Sequence, residues 1–134
     1  PTGMVGENFY NRGVMNAAII AEAIRNAQKL AHKKVVDGAD VRRGLETLNI
    51  SEQRWKELGL PGFAAAIRVT CQDHSGHHSA YVQQWDGQKW VKISDWITPM
   101  EEKVLPLLYS AANDYVSKNQ PWPKRTEACD DKTL

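Results

Sequence analysis

The chain has 134 residues, 42% of them hydrophobic and 25% charged, with a formal net charge of +1. That is one domain's worth of ordinary globular composition, able to bury a modest core. No basic block marks a nucleic-acid binder, and no apolar run approaches the roughly 20 residues that cross a bilayer. The Pro1-Thr2-Gly3 start reads as a processed or excised product, so the lack of a signal segment is silent on compartment.

The longest helical pattern is residues 13–30, GVMNAAIIAEAIRNAQKL, approached through Gly6-Glu7-Asn8-Phe9-Tyr10. No charge falls between Gly13 and Ala21, whereas Glu22, Arg25, Lys29 and His32 recur at helical spacing beyond it. The expectation is a first half enclosed on nearly all sides and a second half with a wet face along those charges. Asn8 is the expected N-cap. Asn8, Phe9, Tyr10 and Asn11 put two amides and two aromatics at a helix start, where free amides favour an anion. A capping Asn with a hydrophobic staple accounts for them equally well.

Asp37-Gly38-Ala39-Asp40 reads as a turn and a capping-box-like start to a short helix with Val41, Leu45 and Leu48 on one stripe. Ser51 caps a third helix carrying Trp55 and Leu58, stopped by Gly59-Leu60-Pro61-Gly62. The period then changes. Ile67, Val69 and Cys71 alternate with Arg68, Thr70 and Gln72, the pattern of a half-buried strand.

Residues 80–85 and 89–93 are two further strands around Asp86-Gly87, a hairpin signal. A four-residue loop would set Trp85 directly opposite Trp90, and a two-residue loop would make them diagonal neighbours. Thr98-Pro99-Met100-Glu101 starts a last helix, with Thr98 as cap, running to about Lys118 and kinked or split at Pro106. An extended tail follows from Gln120-Pro121-Trp122-Pro123.

Asp73, His74, His77 and His78 could form a metal cluster, but a polar turn bent at Gly76 is the favoured reading, because a short loop rarely builds tetrahedral geometry unaided. Ser75 and Ser79 beside those histidines do not make a triad, which is defined by spatial roles. Cys71 belongs to the buried face of its strand, which favours a structural cysteine over a nucleophile. The polar tail offers nothing to bury Cys129, which favours a Cys71–Cys129 disulfide, while two small unbridged cysteines remain the alternative. The tryptophans Trp55, Trp85, Trp90, Trp96 and Trp122 sit at strand ends and turns without a basic groove, so they read as packing residues. No cofactor motif and no catalytic constellation emerge.

Several stretches together resemble the C-terminal segment of the type I solute-binding proteins, the Leu/Ile/Val-binding receptors of branched-chain amino acid ABC importers. They are Gly6-Glu7-Asn8-Phe9-Tyr10-Asn11-Arg12-Gly13-Val14, the Ala21-Glu22-Ala23-Ile24-Arg25-Asn26-Ala27 continuation and Val41-Arg42-Arg43-Gly44-Leu45-Glu46. Val69-Thr70-Cys71-Gln72-Asp73-His74 and Tyr81-Val82-Gln83-Gln84-Trp85-Asp86-Gly87 complete the set.

The resemblance implies an α/β fold, the C-terminal part of two lobes closing on a ligand. It implies a segment at 1–120, with 121–134 as a tail. It further implies an extracytoplasmic or periplasmic, non-enzymatic binding component that hands amino acids or aromatic acids to an ABC permease. The aromatic at the start of the long helix would meet the ligand, so Asn8, Phe9 and Tyr10 are the candidate ligand-binding residues. Faces meant for the missing N-terminal part would be exposed, and self-association is expected from them. A ligand-sensing domain coupled to signalling is the first alternative, and a hydrolase-like enzyme using the histidine loop is the second.

Overall fold

The computed structural model describes residues 3, 5–76 and 79–129. The chain divides into two compact units, residues 1–77 with 129–134 and residues 78–128. The division therefore falls at the end of the histidine loop and not at the 121–134 tail. The tail's Cys129 belongs with the first unit because it is disulfide-bonded to Cys71, with Cα atoms 5.5 Å apart.

In the first unit, α1 spans Asn8–Ala31, α2 Gly38–Leu45 and α3 Glu52–Glu57. Strand β1, Asn49–Ile50, pairs antiparallel with β2, Ile67–Arg68, with Ile50 opposite Ile67. Helix α1 begins one residue after Glu7, so Asn8 is its first helical residue and not its cap; neither Glu7 nor another side chain caps it. The helix ends on His32 in the left-handed region (φ 50°), whose N–H returns to the carbonyls of Gln28 and Lys29, satisfying groups that would otherwise be orphaned. Helix α2 starts with a complete capping box, the Asp37 carboxylate accepting from Asp40 N and the Asp40 carboxylate from Asp37 N, each at 3.0 Å. Ser51 Oγ accepts from Arg54 N at the start of α3.

Helices α1 and α2 cross with almost no side chain between them. A Cβ placed on Gly44 would strike the Ala23 carbonyl oxygen and lie 2.9 Å from Ala27 N. Ala23 and Ala27 are fully buried, and Asn26 Nδ2 ties the crossing by donating to the carbonyls of Gly44 and Thr47. Leu48, Ile50, Trp55 and Ile67 form the core, with Met15, Ile19, Leu60 and Phe63 packed against it. Trp55 is completely buried, and its indole N–H is matched by the Ala65 carbonyl at 3.0 Å.

The burial along α1 reverses the expectation. Its buried residues are Glu22, Ala23 and Ala27, in the second half, while Gly13, Asn16, Ala17 and Ile20 of the charge-free half are exposed. Charge-free sequence marks what a surface can lose to packing; here no described element covers that side.

The second unit holds the hairpin of β3 (Gln83–Trp85) and β4 (Trp90–Lys92), followed by α4 (Glu101–Lys118). Trp85 is the direct partner of Trp90, and their rings meet edge-on with centroids 5.8 Å apart. An isolated antiparallel bridge joins Ala80 and Ile97. Helix α4 starts at Glu101, with Met100 in the cap position and no side-chain cap, so Thr98 does not serve as expected. One helix continues through Pro106. No described residue of this unit is buried.

Candidate functional site

The first unit carries a cleft of about 700 Å³. Met15 and Ile19 of α1 form one wall, Leu45 of α2 another, and Leu48, Ile67 and Val69 the floor. These positions follow from periodicity: Met15 and Ile19 stand one helical turn apart, and Ile67 and Val69 share one side of an extended segment. Gly76 closes the far edge with φ +84°, which places its backbone beside Ile67 and Val69 in a conformation that side-chain-bearing residues rarely adopt.

One polar cluster interrupts this apolar lining. The carboxylate of Glu46 is nearly buried, accepting from Arg42 Nε at 3.2 Å and lying 3.5 Å from His74 Nε2. A buried carboxylate needs such partners to remain charged. Of the histidine loop, His74 thus serves the rim of the cleft, while His77 and His78 lie outside the described residues. Asp73 holds its loop locally, its carboxylate accepting from Ser75 N at 2.9 Å, and among the described residues no group of three or more His, Cys, Asp or Glu could hold a metal. Cys71 is consumed by its disulfide and is no nucleophile.

Asn8 and Phe9 border a separate recess with Asn11, Arg12, Met15 and Phe63. Tyr10 is not part of its lining, so the three expected ligand residues are not brought together on one concave surface. Phe9 is 84% exposed, and Asn11 Nδ2 is spent on the Gly6 carbonyl at 3.1 Å.

A polar groove lies around Glu22, which sequence reading assigned to the wet face of α1. Glu22 is buried at 8% exposure beneath Arg54 of α3, whose Nε and Nη2 donate to its two carboxylate oxygens at 2.8 and 3.0 Å. Arg25 pairs with the same carboxylate, and Arg54 Nη1 reaches Glu57 at 2.9 Å. The Arg54 hydrogen bonds lower the Glu22 pKa against the opposing effect of burial, with Arg25 adding to the lowering. Reciprocally, Glu22 first and Glu57 second raise the pKa of Arg54. The only sequence hint of this arrangement is Glu22's place one turn after Ala18 on the inner stripe. Its partner lies 32 residues away, beyond any local pattern.

No family model matches this chain, and no curated protein matches it. A solved structure described as an ABC transporter permease from the Pseudomonas fluorescens group does, with a TM-score of 0.82 and 36% identity over 95% of this chain. The likeness is to a permease by description. It overturns the expected solute-binding receptor of a Leu/Ile/Val importer, and with it the signalling alternative on the same fold. The short stretches behind that expectation constrain local structure, whereas agreement over nearly the whole chain constrains the fold, and neither carries a role by itself. The chain spans 31% of the length of that solved protein.

Proposed function

We propose that this chain is a non-enzymatic segment of an ABC transport system, and that it lies outside the bilayer on the extracytoplasmic side. The observation carrying the reading is the 36% identity, at a TM-score of 0.82, to the protein described as an ABC transporter permease. Among the described residues no helix is long and apolar enough to cross a membrane, which supports a segment outside the bilayer. The Cys71–Cys129 disulfide supports an oxidising compartment. The cleft presents apolar side chains and one clamped carboxylate, a surface for packing and recognition.

Two measurements test the reading. Mild cross-linking of the full-length protein in its native membrane, followed by affinity purification, is expected to recover an ATP-binding-cassette subunit. Recovery of no transporter component overturns the assignment. An alkaline phosphatase fused after Lys124 of the full-length protein should be active, and an inactive fusion beside an active cytoplasmic reporter overturns the proposed side.

A further inference from the structure

The chain is close to neutral, with a formal net charge of +1, yet the first unit gathers cations that the sequence spreads from residue 25 to residue 54. A recess of about 510 Å³ lies beside the C-terminal end of α1. Arg25 and Lys29 of α1, His32 at its cap, Lys33 and Lys34 beyond it and Arg54 of α3 line this recess. Gln28 completes the lining, and its Nε2 donates to the Lys34 carbonyl at 2.7 Å, which holds the turn after the helix. No described carboxylate lines the recess.

The carboxylates of this region stand behind the cations and fix some of them in place. Glu22 and Glu57 hold Arg54, Glu22 also holds Arg25, and Asp40 holds Lys33 at 2.6 Å with Asp37 at 3.7 Å. These pairs do not exhaust the donors. Arg25 reaches Glu22 through Nη1, which leaves its Nε and Nη2 free to donate. Lys29 and Lys34 have no ion-pair partner among the described residues. The negative end of the helix dipole accounts for Lys29 in the last turn. It does not account for Lys34 past that turn, or for Arg54 of another helix, on the same concave surface.

We propose that this recess is a binding site for a phosphate-bearing anion. Lys29 and Lys34 supply mobile point charges, and the free edge of Arg25 supplies a planar pair of donors that fits two phosphate oxygens. Arg54 and Lys33, already held by carboxylates, add positive potential at fixed positions. Several cations on one concavity favour an anion carrying more than one charge over a single carboxylate, because each further charge gains from the same fixed surroundings. The site is argued from the first unit alone and is independent of the transport reading.

Calorimetric titration of the purified, oxidised full-length protein with inorganic pyrophosphate, at low salt and without divalent cations, tests this. Binding is expected, weakening as ionic strength rises. Lys29→Gln with Lys34→Gln should weaken it about tenfold, the scale of two exposed ion pairs, whereas Lys29→Arg with Lys34→Arg should retain it. Lys56→Gln with Lys89→Gln removes the same charge outside the recess and should leave the affinity unchanged. No binding by the parent protein overturns the proposal, as does an equal loss in the two paired glutamine variants, which would make net charge the cause. Co-sedimentation with phosphatidylglycerol vesicles and not with phosphatidylcholine vesicles, reversed by pyrophosphate, would identify a lipid headgroup as the source of the phosphate. Pyrophosphate binding without co-sedimentation would identify a free phosphate compound. Melting temperatures of the variants close to the parent's exclude unfolding as the cause of a lost signal.

Discussion

Arg54 grips Glu22 with two parallel hydrogen bonds, Nε to Oε2 at 2.8 Å and Nη2 to Oε1 at 3.0 Å, joining helices α3 and α1. The fork matches the carboxylate in a way that a lysine ammonium cannot. Arg54→Lys should therefore lower stability, and Arg54→Ala should lower it by about 1–3 kcal/mol, because a nearly buried carboxylate loses its main partner. Arg25 remains beside Glu22, and one third of the Arg54 side chain is exposed, which keeps the loss below that of a fully buried pair. Chemical denaturation midpoints check it, and an unchanged midpoint for Arg54→Ala would show the clamp to be idle.

The same pair makes stability depend on pH in a definite direction. Glu22's folded pKa lies below the ordinary glutamate value of 4.5, first through the Arg54 hydrogen bonds. The unfolded chain thus takes up the proton more readily, so the contribution is fully present above about pH 4.5 and is lost as pH falls through the lower folded pKa. Melting temperatures followed downward from pH 6 should fall less steeply for Glu22→Gln than for the parent. Parallel acid limbs would contradict this assignment.

Gly44→Ala tests the helix crossing. Alanine is the better helix former by about 1 kcal/mol, so a Gly44 that merely fills a helix position would be improved by the change. Instead its Cβ meets the Ala23 carbonyl and Ala27 N, both backbone atoms that cannot rotate away. A net destabilisation of about 1–3 kcal/mol is expected from forcing α1 and α2 apart. A rise in melting temperature would refute the close approach.

Trp55 carries the largest fully buried side chain of the first unit, and its N–H is satisfied by Ala65. Trp55→Ala should cost about 3–5 kcal/mol. Trp55→Phe should cost less, keeping an aromatic ring beside Phe63, whose centroid lies 5.9 Å from that of Trp55. Denaturant titration of both variants separates the lost volume from the lost hydrogen bond.

Reduction of the Cys71–Cys129 disulfide, which closes a separation of 58 residues, removes a constraint worth up to about 4 kcal/mol in the chain-entropy account. A lower melting temperature is expected with reductant, reproduced by Cys71→Ser with Cys129→Ser. No change in either case would mean that the loop between them is already held by other contacts.

Local chemistry was legible in the sequence wherever the partners lie within a few residues. The Asp37–Asp40 box and the Ser51 cap are written in adjacent positions, and both are formed. The Asp86-Gly87 signal placed a turn, although pairing was needed to choose the directly opposed Trp85 and Trp90 over the diagonal arrangement. Caps at Asn8 and Thr98 failed because a capping residue type marks a neighbourhood, while the first turn's own geometry selects the residue.

What only the tertiary structure decided is which side of α1 is inside. Sequence by itself determined that residues 13–21 carry no charge and that Glu22 begins a charged series. From this it predicted an enclosed first half and a wet Glu22. The structure buries Glu22 under Arg54 and leaves Ile20 exposed, because burial of a charge depends on a partner 32 residues away, and burial of an apolar side chain depends on a neighbour being present to meet it. Periodicity states what a surface can lose to packing; only the folded arrangement of distant segments states what takes it.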